Sequence, residues 1–185
     1  MATAMGGWAL LERTSQWLAR TPGLLREHVR GESSNTLVQR PRETAWSQAE
    51  ILAHLADYEV VCFQARIEEI LRGESLCSLN ADERAVAIPY AAIAPGTSLE
   101  VFERERERSL ARIRQLTPEH LERRALHRET GEMTLARLLT EWVDHDLSHL
   151  RQLVRTAAQI LQPDTGAGSH ASGALGNSGR SVVFP

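Results

Sequence analysis

One segment in the C-terminal half restricts what this chain can form. Residues 141–153 read EWVDHDLSHLRQL. Across and just before this segment, five residues follow one another at spacings of four, three, four and four: Leu138, Trp142, His145, His149 and Leu153. That is the period of one helix face. We therefore expect a helix whose core-facing stripe carries two histidines at positions that apolar residues usually occupy.

Helix signals recur along the first part of the chain. We predict a first helix over residues 8–20, and a short second helix that Thr21 and Pro22 open and that ends near residue 29. Ser47 followed by Glu50 is a capping box, which predicts a long helix that stops at Gly73. Residues 73–96 are then expected to form a long irregular connection.

The second part of the chain predicts two more main helices. One covers residues 98–116, and a short helical turn follows Thr117 and Pro118. Gly131 breaks the chain, and Thr134 can cap a last helix that runs to about residue 161. Strand-like alternation is nearly absent. Four main helices and one long connection predict an all-α fold, a four-helix bundle with one crossover.

Composition sets the domain limits and excludes some functions. The 185 residues suit one bundle domain, residues 1–162, and a Gly/Ser-rich tail, residues 163–185. The net charge of −3 argues against a nucleic-acid partner, and all 21 basic residues are arginine. Because there is no long apolar run, no signal peptide and no C-x-x-C, we expect a cytoplasmic protein with no membrane partner and free thiols at Cys62 and Cys77.

The two histidines of the last helix suggest a metal site. His145 and His149 lie one turn apart and about 40° apart on one face, the spacing with which a helix presents two imidazoles to one metal. His54 faces inward on the helix opened at Ser47 and is the best third ligand. Three neutral imidazoles leave coordination positions open and suit Zn, Ni or Fe. Of the other histidines, His127 stays a candidate.

Carboxylates near these histidines have open roles. Asp146 follows His145 directly, so it is either a base or orienting group of the site or a structural polar partner. Glu141 precedes His145 by four residues and Asp57 follows His54 by three, so either could accept an imidazole N–H. The pattern H-D-x-x-H does not support a zinc protease, because aspartate is one methylene shorter than the glutamate of H-E-x-x-H.

Arg106 is the exception in an otherwise solvated run of alternating Glu and Arg. It lies four residues after Phe102 and four before Leu110, on the apolar stripe of its helix. One interpretation is a snorkelling arginine paired with a carboxylate. The other is an anchor that holds an anion near the site.

The stretches TPGLLREHVRG, WSQAEILAHLADYE, VFERERERSLARIRQL and LHRETGEMTLARLLTEWVDHDLSHLRQL resemble the DinB-like superfamily, in particular its YfiT-type branch of metal-dependent hydrolases. The resemblance covers about residues 10–161. It implies a four-helix bundle, a divalent metal held by His54, His145 and His149, and a homodimer. Relatives include thiol S-transferases that use bacillithiol or mycothiol and a mycothiol-dependent isomerase.

Three functional hypotheses follow. The first is an enzyme in which the metal activates a thiol or water toward a small-molecule substrate, with a low-molecular-weight thiol as co-substrate. Asp146 and Arg106 are then the candidate catalytic residues; Arg106 would hold a carboxylate of the thiol, and residues 73–96 would cover the site. The second is a hydrolase that uses metal-activated water. The third is a non-enzymatic bundle, in which a structural metal stabilises an interaction module.

Overall fold

The computed structural model describes residues 2–79, 81–128 and 131–162, and it is dominated by helices. The predicted tail, residues 163–185, lies outside the described residues. The helices are α1 (Ala2–Arg30), α2 (Ser34–Val38), α3 (Gln48–Tyr58), α4 (Ala65–Arg72), α5 (Ala81–Ala87), α6 (Pro95–Ile113), α7 (Pro118–Leu121) and α8 (Leu135–Leu161). Two short strands precede the last helix: β1 (Arg124–His127) and β2 (Gly131–Thr134).

The long helices form a four-helix bundle, as predicted. Helix α1 packs against α6 and α8, and α3 packs against the same two helices. Helices α1 and α3 therefore occupy opposite corners, although only the short helix α2 separates them in the chain. Two clusters of buried apolar side chains fill the interior, one around Trp142 and Phe63, the other around Leu25 and Phe102. None of the helices in the described part of the chain is long and apolar enough to cross a membrane.

The first helix corrects a prediction. The expected break at Thr21 and Pro22 is absent, and α1 continues through Pro22 to Arg30. A proline inside a helix supplies no N–H to the carbonyl four residues earlier, here that of Leu18. The guanidinium of Arg106 donates to this oxygen at 2.9 Å, so the carbonyl that Pro22 leaves without its helical donor is satisfied from another helix. Thr21 is buried and makes a tertiary hydrogen bond instead of capping a helix.

The second main helix begins and ends as predicted, but it is not regular. Ser47 and Glu50 form the reciprocal capping box, and Gly73 ends α4 with a left-handed φ of 71°. Between α3 and α4, residues Glu59–Gln64 are π-helical. A π segment widens the helical turn by one residue, and such segments are frequent at functional sites. Here it separates the stretch that carries His54 from α4.

The two connections contain more structure than the sequence suggested. Residues 73–96 include α5 and a 3₁₀ turn, Tyr90–Ala92, instead of being irregular throughout. The predicted lack of strands is also corrected, because β1 and β2 pair antiparallel and His127 faces Gly131 in the register. Leu76 bridges to His127, which attaches the start of the long connection to this hairpin. Four-residue strands are too short to show a clear period of two.

Candidate metal centre

Three histidines that lie far apart in the sequence meet inside the bundle. His54 comes from α3, and His145 and His149 come from successive turns of α8. Each offers a ring nitrogen, and these nitrogens all lie within 4.8 Å of one another. His54 and His145 are buried, and His149 is half-buried. We call these three residues the three-His cluster.

The spacing within the cluster fits a metal. The Nε2 atoms of His54 and His145 lie 3.3 Å apart. Two nitrogens bound tetrahedrally at 2.0–2.1 Å would be separated by about 3.3 Å. An N–H···N hydrogen bond between the two rings would also explain that one contact. It would not explain why a third imidazole, His149, converges on the same point, whereas a shared ion accounts for all three.

The protonation state of the cluster suits ligation. Burial, reinforced by the neighbouring His149, lowers the pKa of His54 well below its ordinary value. Burial also lowers the pKa of His145, and His149, His54 and Arg106 add to that shift. The pKa of His149 is lowered by burial as well, although Gln152 and Asp146 oppose the change. Neutral imidazoles keep the lone pairs that a divalent metal requires.

Aromatic rings surround the histidines. Trp46 and Tyr58 lie against His54, with ring centroids 5.0 and 4.1 Å from it. Tyr58 also stacks on His145 at 5.7 Å, and Phe63 meets the same ring edge-on at 5.1 Å. These walls exclude water from the His54 and His145 side of the cluster. His149 is the least buried of the three histidines.

One histidine has a clear orienting partner. His149 Nδ1 lies 2.8 Å from Oε1 of Gln152, one turn further along α8, so the amide oxygen can accept the Nδ1 proton and leave Nε2 free to bind. Nδ1 of His54 is buried without a hydrogen-bond partner in the described part of the chain. The cluster therefore has one residue whose tautomer is fixed by an amide and one that is held mainly by its aromatic neighbours.

A second buried polar cluster lies beside the histidines. Nε and Nη2 of Arg106 each donate to Glu59 at 2.8 Å. Nη1 and Nη2 donate to Asp146 at 2.6 and 3.0 Å, and Nη1 also donates to the carbonyl of Leu18. All five guanidinium N–H groups thus have an acceptor. Burial, opposed by Arg106, raises the pKa of Glu59.

Two hydroxyl groups complete this second cluster. Thr21 donates to Asp146 at 2.6 Å, and Ser109 donates to Glu59 at 2.7 Å. We call the five side chains of Arg106, Glu59, Asp146, Thr21 and Ser109 the Arg106 cluster. Asp146 follows His145 directly in the sequence, so this cluster fixes the backbone of α8 at the point where the His145 side chain projects.

The candidate catalytic residues of the sequence therefore lie in the Arg106 cluster. Arg106 has the carboxylate partners of the first interpretation, and its contacts leave no N–H for a substrate anion. Asp146 contacts Arg106 and Thr21, which matches a structural polar partner and gives no support to a role as base. The expectation that Glu141 or Asp57 accepts an imidazole proton finds no support either. Glu141 pairs with Arg137 at 2.6 Å.

Asp57 instead attaches the long connection to α3. It binds Arg84 of α5 through both carboxylate oxygens, and Tyr90 donates to it at 2.8 Å. Tyr90 in turn lies 6.1 Å from the His54 ring, edge to face. Residues 73–96 therefore reach the neighbourhood of His54 through Tyr90. His127 lies outside the three-His cluster, where Arg66 contacts it.

Sequence reasoning missed three polar residues near the site. Glu59 lies in the π segment and accepts from Arg106. Tyr58 lies against His54 and stacks on His145, and it was not singled out from the sequence. Arg66 was not considered at all. It follows His54, Tyr58 and Cys62 at spacings of four residues, and that signal was available in the sequence.

The bundle and the three-His cluster together define a class of helical proteins with a candidate metal centre between two helices. The chain belongs to the DinB superfamily, whose profile matches residues 18–153. Among curated proteins it is 26% identical over 147 residues to one from Oceanobacillus iheyensis named "Putative metal-dependent hydrolase OB0413". That alignment covers 77% of this chain and 84% of the relative.

Solved structures share the fold. YfiT from Bacillus subtilis, described as "a probable metal-dependent hydrolase with an unusual four-helix bundle topology", matches with a TM-score of 0.73 at 20% identity, over 81% of this chain and 87% of that one. A mycothiol-dependent maleylpyruvate isomerase matches with a TM-score of 0.62 at 14% identity, over 77% of this chain and 60% of that one. At these identities the likeness concerns the fold alone.

Proposed function

We propose that this chain is a divalent-metal-dependent enzyme in which the three-His cluster activates a thiol or a water molecule toward a small-molecule substrate. The observation that carries the proposal is the convergence of His54, His145 and His149, within 4.8 Å, at the half-buried edge of an aromatic-lined site. The relatives named as metal-dependent hydrolases and the mycothiol-dependent enzyme of the same fold agree with it.

The three imidazoles would hold the metal, and the number of ligands indicates what it is for. Structural zinc sites usually close with four protein ligands, whereas catalytic sites keep a position open. The chemistry that a divalent metal supplies in such a position is Lewis acidity, which makes a thiol or water nucleophilic near neutral pH. Within the described residues the histidines form no group with a fourth His, Cys, Asp or Glu ligand.

The chain's own residues then have distinct tasks. Gln152 holds the His149 ring in one tautomer, and Trp46, Tyr58 and Phe63 keep water from the buried side. The Arg106 cluster positions α8 without touching the substrate. Arg84 and Tyr90 bind Asp57 and hold the long connection near His54.

A thiol co-substrate and a water nucleophile are separated by one experiment. The protein is purified without chelators, its content of Zn, Ni and Fe is measured, and a panel of electrophilic and ester substrates is tested with and without added low-molecular-weight thiol. Turnover that requires thiol identifies a thiol transferase, and turnover without thiol identifies a hydrolase. Absence of bound metal, together with unchanged behaviour on His145→Ala, would refute the proposal and favour the non-enzymatic bundle.

The assembly state is a separate prediction. The homodimer that the family resemblance implies is tested by light scattering on the purified chain. Because both histidine-bearing helices belong to one chain, we expect metal content per chain to be independent of protein concentration whether or not a dimer forms.

A further inference from the structure

Arg66 is a buried arginine whose hydrogen-bonding groups are mostly unused. Its exposed fraction is 5%. Nη2 donates to Nε2 of His127 at 3.4 Å, a long hydrogen bond, and Nε is buried without a partner within the described residues. A buried charge that lacks paired acceptors is costly, so such a group usually has a counterpart that binds to it.

Protein carboxylates do not supply that counterpart in the described part of the chain. Two acids, Glu141 and Glu69, raise the pKa of the neighbouring Cys62 thiol more than Glu59 does. Both of these acids have other contacts. Glu141 pairs with Arg137, and Glu69 accepts the backbone N–H of Cys77 at 3.4 Å. Arg106 of the same bundle shows the contrast, since each of its five N–H groups has an acceptor.

The position of Arg66 connects it to the candidate metal centre. Tyr58, Cys62 and Arg66 follow His54 at intervals of four residues and are all buried. Burial raises the pKa of both the Tyr58 hydroxyl and the Cys62 thiol, and the Arg66 charge opposes both shifts, so the guanidinium lies within electrostatic range of both groups. Burial raises the pKa of the Cys62 thiol to about 11, and the Arg66 charge is the largest influence that opposes this rise.

Tyr58 is the link between Arg66 and the histidines. Its ring touches His54 and stacks on His145, while its hydroxyl is buried without a hydrogen-bond partner in the described residues. An unpaired phenol beside the three-His cluster and an under-used guanidinium therefore lie within electrostatic range of each other. Both groups are hydrogen-bond donors, and a carboxylate accepts from both.

We propose that Arg66 and the Tyr58 hydroxyl form an anion subsite beside the three-His cluster, which binds the carboxylate of a small-molecule ligand. The inference rests on the proposed function for the role of the histidines. It assigns to Arg66 the anion-holding task that the sequence suggested for Arg106. The carboxylate belongs either to the thiol co-substrate or to its acceptor, and the probes below separate these sources.

Other parts of the molecule carry weaker candidates. A surface cavity of about 160 Å³ between α4 and α6 is lined by two arginines, Arg108 and Arg112, but these are paired with Glu105 and Glu68. Exposed apolar residues on α1 and α8, such as Trp17 and Val154, have nothing in the structure that identifies what covers them.

The test compares matched small probes on the full chain. The probes are propionate, 3-mercaptopropionate and 2-mercaptoethanol, measured by calorimetry and thermal melting with metal-loaded and metal-free protein. We expect propionate to raise the melting temperature of the metal-free wild type. We also expect metal-loaded protein to bind 3-mercaptopropionate at least about tenfold more tightly than 2-mercaptoethanol, because a charge-assisted bidentate contact is available.

Arg66→Met should abolish the rise in melting temperature with propionate. It should also bring the ratio of the affinities for 3-mercaptopropionate and 2-mercaptoethanol to about one. Its melting temperature without ligand should be equal to or above that of the wild type, because an under-paired buried charge has been removed. Arg72→Met is the matched control on the same helix, since Arg72 is exposed and paired with Glu74. It should leave both measurements unchanged.

Two results would overturn the subsite: an unchanged affinity ratio in Arg66→Met, or a propionate effect that persists in it. If Arg66→Met fails to fold, Arg66→Lys is the test variant. Lysine keeps the positive charge but lacks the two parallel N–H donors of the guanidinium, so it should lower the affinity ratio of the two thiols severalfold. An Arg66-dependent gain with 3-mercaptopropionate alone assigns the carboxylate to the thiol. An equal gain with propionate assigns it to the acceptor.

Failure of this inference is distinguishable from failure of the proposed function. If the wild type holds no metal but shows an Arg66-dependent response to propionate, the anion subsite stands and the metal-dependent enzyme does not. If the wild type holds metal and Arg66→Met leaves the thiol ratio unchanged, the metal site stands and the anion subsite does not.

Discussion

Two buried polar clusters lie side by side in this bundle, and they differ in how completely protein groups satisfy them. In the Arg106 cluster each guanidinium N–H has an acceptor from Glu59, Asp146 or Leu18. In the three-His cluster, three neutral imidazoles offer ring nitrogens within 4.8 Å of one another, and no fourth His, Cys, Asp or Glu ligand joins them in the described part of the chain. A polar cluster whose groups satisfy one another stabilises the fold, whereas a cluster of three neutral imidazoles is suited to bind a metal ion.

The largest expected effect is loss of the metal on His145→Ala. We expect the metal content measured by plasma mass spectrometry to fall from near one ion per chain to near none, and turnover to disappear. At a free metal concentration of about 1,000 times Kd, binding stabilises the wild type by about 4 kcal/mol, and this stabilisation should be absent in the variant.

The control for this variant is His120→Ala. His120 caps the short helix α7 and is not part of the three-His cluster, so its removal should leave the metal content unchanged. Equal metal content in His145→Ala and His120→Ala would show that the three-His cluster does not hold the metal, and the contrast with the Arg106 cluster would be lost.

Arg106→Leu should destabilise the fold by about 3–5 kcal/mol, because it leaves two buried carboxylates without their cation. Chemical denaturation measures the loss. Arg112→Leu, on the same helix, breaks the partly exposed pair with Glu68 and should cost at most about 1 kcal/mol. Adding Glu59→Gln and Asp146→Asn to Arg106→Leu should recover part of the stability.

The metal content of Arg106→Leu, measured at a temperature where it is folded, separates structural from catalytic tasks. We expect it to match the wild type. Loss of metal without loss of stability would place Arg106 in the binding site itself and would contradict the division between the clusters.

Gln152→Leu tests how the three-His cluster is oriented. Because Gln152 fixes the tautomer of His149, its loss should lower metal affinity about 10- to 100-fold while the fold stays stable. Competition with a chromophoric chelator gives the affinity. Gln159→Leu, an exposed position on the same helix, serves as the control; a similar drop there would show that the effect is not due to His149.

The sequence predicted those features that depend on local spacing. The capping box of Ser47 and Glu50, the end at Gly73 and the histidine stripe of α8 all follow from residues within a few turns. The family and the bundle were also identified correctly. The meeting of His54 with His145 required only that both stripes face one core.

Features that depend on distant partners were not predictable in the same way. Pro22 ordinarily ends or kinks a helix, and only the distant Arg106 supplies the donor to the Leu18 carbonyl. The π segment changes the phase of the helix after Tyr58, so an extrapolated stripe does not show that Glu59 faces α6. Arg106 could be recognised as buried, but its saturation by five acceptors could not.

The smallest expected effect concerns the Tyr58 hydroxyl. Since it has no partner in the described residues, Tyr58→Phe should change the free energy of unfolding at pH 7 by less than about 0.5 kcal/mol. Tyr90→Phe is the matched comparison. Its hydroxyl donates to Asp57, so that variant should cost about 1.5–3 kcal/mol.

Alkaline titration sharpens this comparison. Burial raises the pKa of Tyr58 to about 12, so the folded state keeps the phenol neutral while the unfolded chain ionises near pH 10. Stability from this group is fully present below pH 10 and is lost between about pH 10 and 12, by up to about 1.4 kcal/mol per pH unit. Tyr58→Phe should remove that part of the loss in melts across this range. A cost at pH 7 equal to that of Tyr90→Phe would mean that the Tyr58 hydroxyl is already paired, and the anion subsite would lose one of its two donors.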